Sequence, residues 1–135
     1  SIYYGGEWEL TGTRTRESDA ALRPHITLEE GEAKHCDLTD LITKLARIHT
    51  ENPEFHGGRY QELLLTNRQY ASARHAQGSI CMNSDDQESH LSVPVPLHAS
   101  KAENLMDGSI IPVENGKLNL TLPGNSSVVL KIRED

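Results

Sequence analysis

The side chains best able to do chemistry are seven histidines, at positions 25, 35, 49, 56, 75, 90 and 98, and two cysteines, Cys36 and Cys81. A metal site needs ligands clustered at short, regular spacings, such as two histidines one helical turn apart or a Cys-x-x-Cys pair. No such cluster occurs. His35 and Cys36 are adjacent and would face different ways. The sequence therefore predicts no metal and no cofactor, with the histidines on surfaces and loops. Two cysteines do not make a disulfide framework. They read as free thiols, which favours a reducing compartment and a cytoplasmic location.

Charge narrows the partners further. Twenty acidic residues stand against 13 basic ones, for a formal net charge of −7. Nucleic acid and anionic membranes both require a positive footprint, so neither is expected. Arg14 and Arg16 are the densest basic pair. No apolar run approaches the ~20 residues of a membrane span. No basic stretch precedes an apolar one, so no signal peptide is expected.

The elements that must position any site fall into three zones. "SIYY" reads as a short strand ended by Gly5-Gly6. From Thr11 to Lys34 no hydrophobic period is sustained, which predicts a long polar loop of the kind that carries function. Residues 37–51 read as a helix, because Leu38, Leu41, Ile42, Leu45 and Ile48 form one apolar stripe. Asp37 suits its N-cap, Asp40 suits its positive end, and Pro53 bars its continuation.

From residue 60 onward the pattern is short strands and turns. "QELLLT", "QYASARHA", "SICMN", "HLSVPV", "AENLM", "SIIPVE", "KLNLTL" and "SSVVLKI" are the strand-like runs. Asp107-Gly108 and Asn115-Gly116 are hairpin signals. Pro94 and Pro96 put "HLSVPV" at an edge. The expected fold class is mainly β: an antiparallel Greek-key β-sandwich of seven to eight strands, preceded by one strand, a loop and a helix. A lone βα unit cannot bury both its faces. The helix stripe asks for a partner, and left exposed it would favour self-association.

These segments, in this order, resemble the end of an α-amylase family glycoside hydrolase. "SIYYGGE" looks like the family's eighth barrel strand, where Tyr-Tyr-Gly-x-Glu enters the last catalytic loop. "DLTDLITKLARIHTENPEFHGGRYQELLLTNRQYASAR" looks like the last barrel helix and its passage into the C-terminal domain. "NGKLNLTLPGNSSVVLKI" resembles that domain's final hairpin. The closest flavour is the maltodextrin- or cyclodextrin-degrading enzymes. The resemblance implies two domains: residues 1–56, the last strand, loop and helix of a TIM barrel, and residues 57–135, a C-terminal antiparallel β-sandwich.

It also implies a chemistry and a deficit. The family performs retaining hydrolysis with two carboxyls ~5–5.5 Å apart. Its catalytic carboxylates follow the fourth, fifth and seventh strands, upstream of the matching segment. No catalytic residue is therefore expected here, and the chain alone should be inactive, its partners being the missing barrel and an α-glucan or maltodextrin. In many relatives the last loop carries an Asp and an Arg four residues apart that hold sugar hydroxyls, and Asp19 and Arg23, followed by Pro24, match that spacing. A carboxylate accepts and a guanidinium donates, so the two can bracket vicinal hydroxyls; a plain ion pair is the alternative. Glu7 and Trp8 are weaker candidates, with Trp8 either stacking on a sugar or serving as a packed wall. Tyr3 and Tyr4 read as barrel packing. An autonomous carbohydrate-binding module is a competing reading, as is an interaction domain unrelated to sugar. Only Tyr60 and Tyr70 supply aromatic faces after residue 59, which weighs against the module.

Overall fold

The computed structural model describes residues 2–74, 77–96 and 98–134. The chain divides into two compact units, Ser1–Ile48 and His49–Asp135.

The first unit differs from expectation at its start. Ser1 lies outside the described residues, and the rest of "SIYY" does not form a strand: residues 2–5 run into a turn, closed by Gly6 N–H donating to the Tyr3 carbonyl at 2.8 Å. A strand needs a neighbour for its backbone groups, and among the described residues every strand lies between 60 and 134. A 3-10 turn, Gly6–Trp8, follows instead. The expected polar loop also holds more structure than its hydrophobic pattern shows. It contains a second 3-10 turn, Ala20–Leu22, and a short helix α1, Leu28–Glu32. A capping box opens α1. Thr27 Oγ1 accepts from Glu30 N–H at 3.2 Å, and Glu30 Oε2 accepts from Thr27 N–H at 2.8 Å. The backbone bond from Thr27 in turn holds the Glu30 carboxyl below its ordinary value.

Helix α2 spans Asp37–Glu51, as the stripe predicts. Its cap is shifted by one residue. The Cys36 carbonyl accepts the first helical bond, from Asp40 N–H at 3.3 Å, and Thr39 Oγ1 accepts from Cys36 N–H at 3.3 Å. Cys36, not Asp37, therefore holds the cap position, because Thr39 sits where its hydroxyl can satisfy that N–H. The stripe itself is only partly covered, with Leu38, Ile42 and Ile48 half-buried. No α2 residue is buried, and Leu41 and Leu45 are 42% and 38% exposed.

The second unit begins with the end of α2 and a 3-10 turn, Pro53–Phe55. Eight strands follow: β1 Tyr60–Leu65, β2 Gln69–Arg74, β3 Gly78–Asn83, β4 Ser89–Pro94, β5 Ala99–Asn104, β6 Ile110–Glu114, β7 Lys117–Leu122 and β8 Ser126–Glu134. "AENLM" is the one run displaced. Leu105 and Met106 lie in the turn after β5, where Gly108 N–H donates to the Asn104 carbonyl at 2.7 Å. Residues 75 and 76, the end of "QYASARHA", lie outside the described residues.

All strand pairs are antiparallel, in the order β1-β2-β3-β8-β5-β6-β7-β4. The set β4-β7-β6-β5 is a Greek key. β6 belongs to both halves of the fold. Its residues 110–112 pair with β5, and 113–114 pair with β7. β4 ends the order, so Pro94 sits on an edge strand as predicted. At the β6–β7 hairpin Asn115 and Gly116 have φ of 52° and 70°, as a two-residue turn of the I′ hand requires.

Period-2 alternation builds the core. Ala71, Cys81, Leu91, Val93, Ala102, Leu118, Leu120, Leu122, Leu130 and Ile132 point inward from six strands. Gly124, between β7 and β8, marks a close approach. A Cβ there would stand 2.2 Å from the Asp86 carbonyl oxygen, a backbone atom. Gly124→Ala should therefore cost about 2 kcal/mol, read as a lower urea midpoint.

Candidate functional site

The loop from Thr11 to Pro24 is closed by its own contacts. A Cβ on Gly12 would lie 1.9 Å from the Ala21 carbonyl oxygen, so only glycine lets the two limbs pass this closely. Between them, Ser18 N–H donates to Thr15 Oγ1 at 3.1 Å, and Thr15 N–H to the Ser18 carbonyl at 3.3 Å. Ser18 Oγ accepts from Ala20 N–H at 3.0 Å and so opens the 3-10 turn Ala20–Leu22. Beyond it, Tyr4 Oη–H donates to the Pro24 carbonyl at 2.9 Å and pins the exit of the loop.

Asp19 and Arg23 flank that one short turn. Leu22 N–H donates to the Asp19 carbonyl at 2.9 Å, and Arg23 N–H to the Ala20 carbonyl at 3.2 Å. Both side chains are exposed. They are not an ion pair with each other. Asp19 Oδ1 forms an ion pair instead with Arg14, whose Nε lies 2.9 Å away. Among the described residues the Arg23 guanidinium makes no ion pair. Sequence reasoning missed Arg14, because its contact spans a turn made by Thr15 and Ser18 hydroxyls, which carries no hydrophobic period.

Glu7 and Trp8 share the first 3-10 turn and are half-buried. Trp8 packs against α1: a Cβ on Gly31 would fall 2.5 Å from its ring. That contact fits the packed-wall alternative. Glu7 anchors α2 through its main chain. Its carbonyl accepts from Thr39 Oγ1 at 2.6 Å and from Cys36 Sγ at 3.8 Å. Its Oε2 is buried without a hydrogen-bond partner among the described residues.

The second unit offers less chemistry. Burial pushes the Cys81 thiol up to about 11, against the opposing pull of the Ser79 bond, so it is a poor nucleophile. A cavity of about 290 Å³ lies among Gln61, Leu63, Ser79, Val95 and Ile132, and among the described residues no titratable side chain lines it. Arg74 stands over the Tyr60 ring, 5.5 Å from its centre, and the Tyr60 and Tyr70 hydroxyls bond to each other. One face of Tyr60 is thus taken by a cation rather than left for a sugar. Across the outer sheet face, Tyr70 pairs with Met82, and Ile80 with Val129, with Ile80 and Met82 exposed. Among the described residues no group of three metal-ligating side chains occurs, and no helix is long and apolar enough to cross a membrane.

No protein-family model matches the sequence, and no curated protein is significantly similar to it. Solved structures do match. An α-amylase from Anoxybacillus superposes with a TM-score of 0.80 at 19% identity, over 98% of this chain and 28% of that one. Ttha1563 from Thermus thermophilus gives 0.81 at 23% identity, over 98% and 27%. A cyclomaltodextrinase gives 0.79 at 22% identity, over 98% and 23%. The chain thus spans about a quarter of the length of the structures it matches. Its fold is that of a segment of α-amylase and cyclomaltodextrinase chains.

Proposed function

We propose that this chain is the C-terminal part of an α-amylase-type glycosidase that acts on α-glucans or maltodextrins. The observation that carries the reading is the superposition of 98% of the chain on 28% of an α-amylase and 23% of a cyclomaltodextrinase. On this reading residues 1–56 complete a catalytic barrel, and the β-sandwich packs on that barrel and stabilises it. The open α2 stripe and the apolar outer face at Tyr70, Ile80 and Met82 are surfaces suited to such packing. The catalytic carboxylates lie elsewhere in the enzyme, so the chain alone is inactive. Two free thiols fit a cytoplasmic enzyme.

Asp19 and Arg23 supply a sugar subsite remote from bond cleavage, with Glu7 and Trp8 as weaker candidates for sugar contact. The carboxylate accepts from one hydroxyl and the guanidinium donates to its neighbour. In the complete enzyme, Arg23→Ala should raise KM for maltoheptaose about 10-fold while changing little for a short aryl glucoside. Steady-state kinetics on both substrates check this. Equal losses on the two would remove the subsite from the reading.

A further inference from the structure

We propose that Arg14 is a positioning residue for Asp19, holding its carboxylate so that one oxygen stays available to a sugar hydroxyl. The inference rests on the reading of Asp19 and Arg23 as a sugar subsite. Asp19 precedes the Ala20–Leu22 turn, where an aspartate would ordinarily cap the free N–H groups. It makes no such bond. Leu22 N–H goes to the Asp19 main-chain carbonyl and Ala20 N–H to Ser18 Oγ, while the Asp19 carboxylate caps no N–H of the turn. Its partner is the Arg14 guanidinium, with Nε 2.9 Å from Oδ1.

Asp19 stays exposed beside that contact, which leaves its carboxylate open to a ligand. The two residues stand on opposite limbs of the Thr15–Ser18 turn, which fixes their separation. An exposed side chain loses rotamer freedom when a ligand orders it, and a residue already held by a neighbour loses less. Arg14 and Asp19 are 75% and 56% exposed, so the pair contributes little to folding. Its effect should appear in binding and not in stability.

The test uses the intact chain and maltoheptaose, titrated by NMR, with the melting temperature measured in parallel. Arg14→Ala should weaken binding about 5-fold at an unchanged melting temperature, and Arg14→Lys should recover part of the loss. In an Asp19→Ala background, Arg14→Ala should cost nothing more. Without sugar, the Arg14 Nε chemical shift should report the ion pair, and Asp19→Ala should move it toward that of a free arginine. If Asp19→Ala and Arg23→Ala weaken binding while Arg14→Ala does not, positioning is overturned and the subsite stands. An equal Arg14→Ala loss in both backgrounds makes Arg14 a direct ligand and also overturns it. No binding by the parent chain, with the ion-pair shift of Arg14 Nε present, refutes the subsite and removes the role proposed for Arg14.

Discussion

Asn83→Leu should lower the stability of the strand unit by about 4 kcal/mol, seen as a fall in urea midpoint at unchanged slope. Asn83 is almost fully buried, at the end of β3, and both ends of its amide are in use. Nδ2 donates to the carbonyls of Gln87, Leu122 and Pro123 at 2.9, 3.2 and 3.0 Å. Oδ1 accepts from Gln69 Nε2 and from Asp85 N–H, both at 3.1 Å. One side chain thus ties β2, β3, the β3–β4 turn and the end of β7. A leucine of similar size would fill the space and leave these groups dry and unpaired. Asn83→Asp keeps the shape and the acceptor but aims a carboxylate oxygen at carbonyl oxygens. It should be at least as damaging near neutral pH, which separates lost hydrogen bonds from lost volume.

The second large effect is expected at Lys131. Its Nζ lies 2.7 Å from Glu54 Oε1 and donates to Asn52 Oδ1 at 3.0 Å. The two charged side chains are only 19% and 7% exposed. Lys131→Met should cost about 3 kcal/mol, because it strands the Glu54 charge away from water. Adding Glu54→Gln to Lys131→Met should recover most of the loss, and a double-mutant cycle by urea unfolding measures it. The pH dependence has a definite sign. Burial works to raise the Glu54 carboxyl, but the Lys131 bond, a backbone bond and the charges of Lys131 and Arg133 outweigh it, and the net direction is down. Ionised Glu54 therefore stabilises the fold above the ordinary carboxyl value, and that stability is lost as pH falls through its lowered value. In Lys131→Met burial acts largely unopposed, so the penalty should shrink toward acid pH as Glu54 takes up a proton.

The strand unit was largely legible in the sequence because alternation and turn residues are local signals. Asn115-Gly116, Pro94 and "KLNLTL" each specify their own geometry with little help. The 37–51 helix was legible for the same reason. The "SIYY" run misled because apolar content alone does not supply a neighbouring strand. Helix α1 was missed although Thr27 and Glu30 stand at capping-box spacing, because five residues are too few to show a period. The Arg14–Asp19 pair was not legible either, since it depends on Gly12 meeting the Ala21 carbonyl and on two hydroxyls closing a turn. The polar ties at Asn83 and Lys131 link positions 39 and 79 residues away in sequence, beyond the reach of any local pattern.

The place of β8 between β3 and β5 bears on the order in which the protein can be made. Strands emerge from the ribosome in chain order, so β1 to β7 are all synthesised before their central strand. Until then β3 and β5 each present an open edge, and Leu130 and Ile132 are missing from the core. Hairpins such as β6–β7 can close early, but the sandwich cannot. Its folding is therefore late during translation, and from the emergence of β5 until that of β8 the nascent chain carries two unpaired edges, which is the interval in which it most needs shielding from its neighbours.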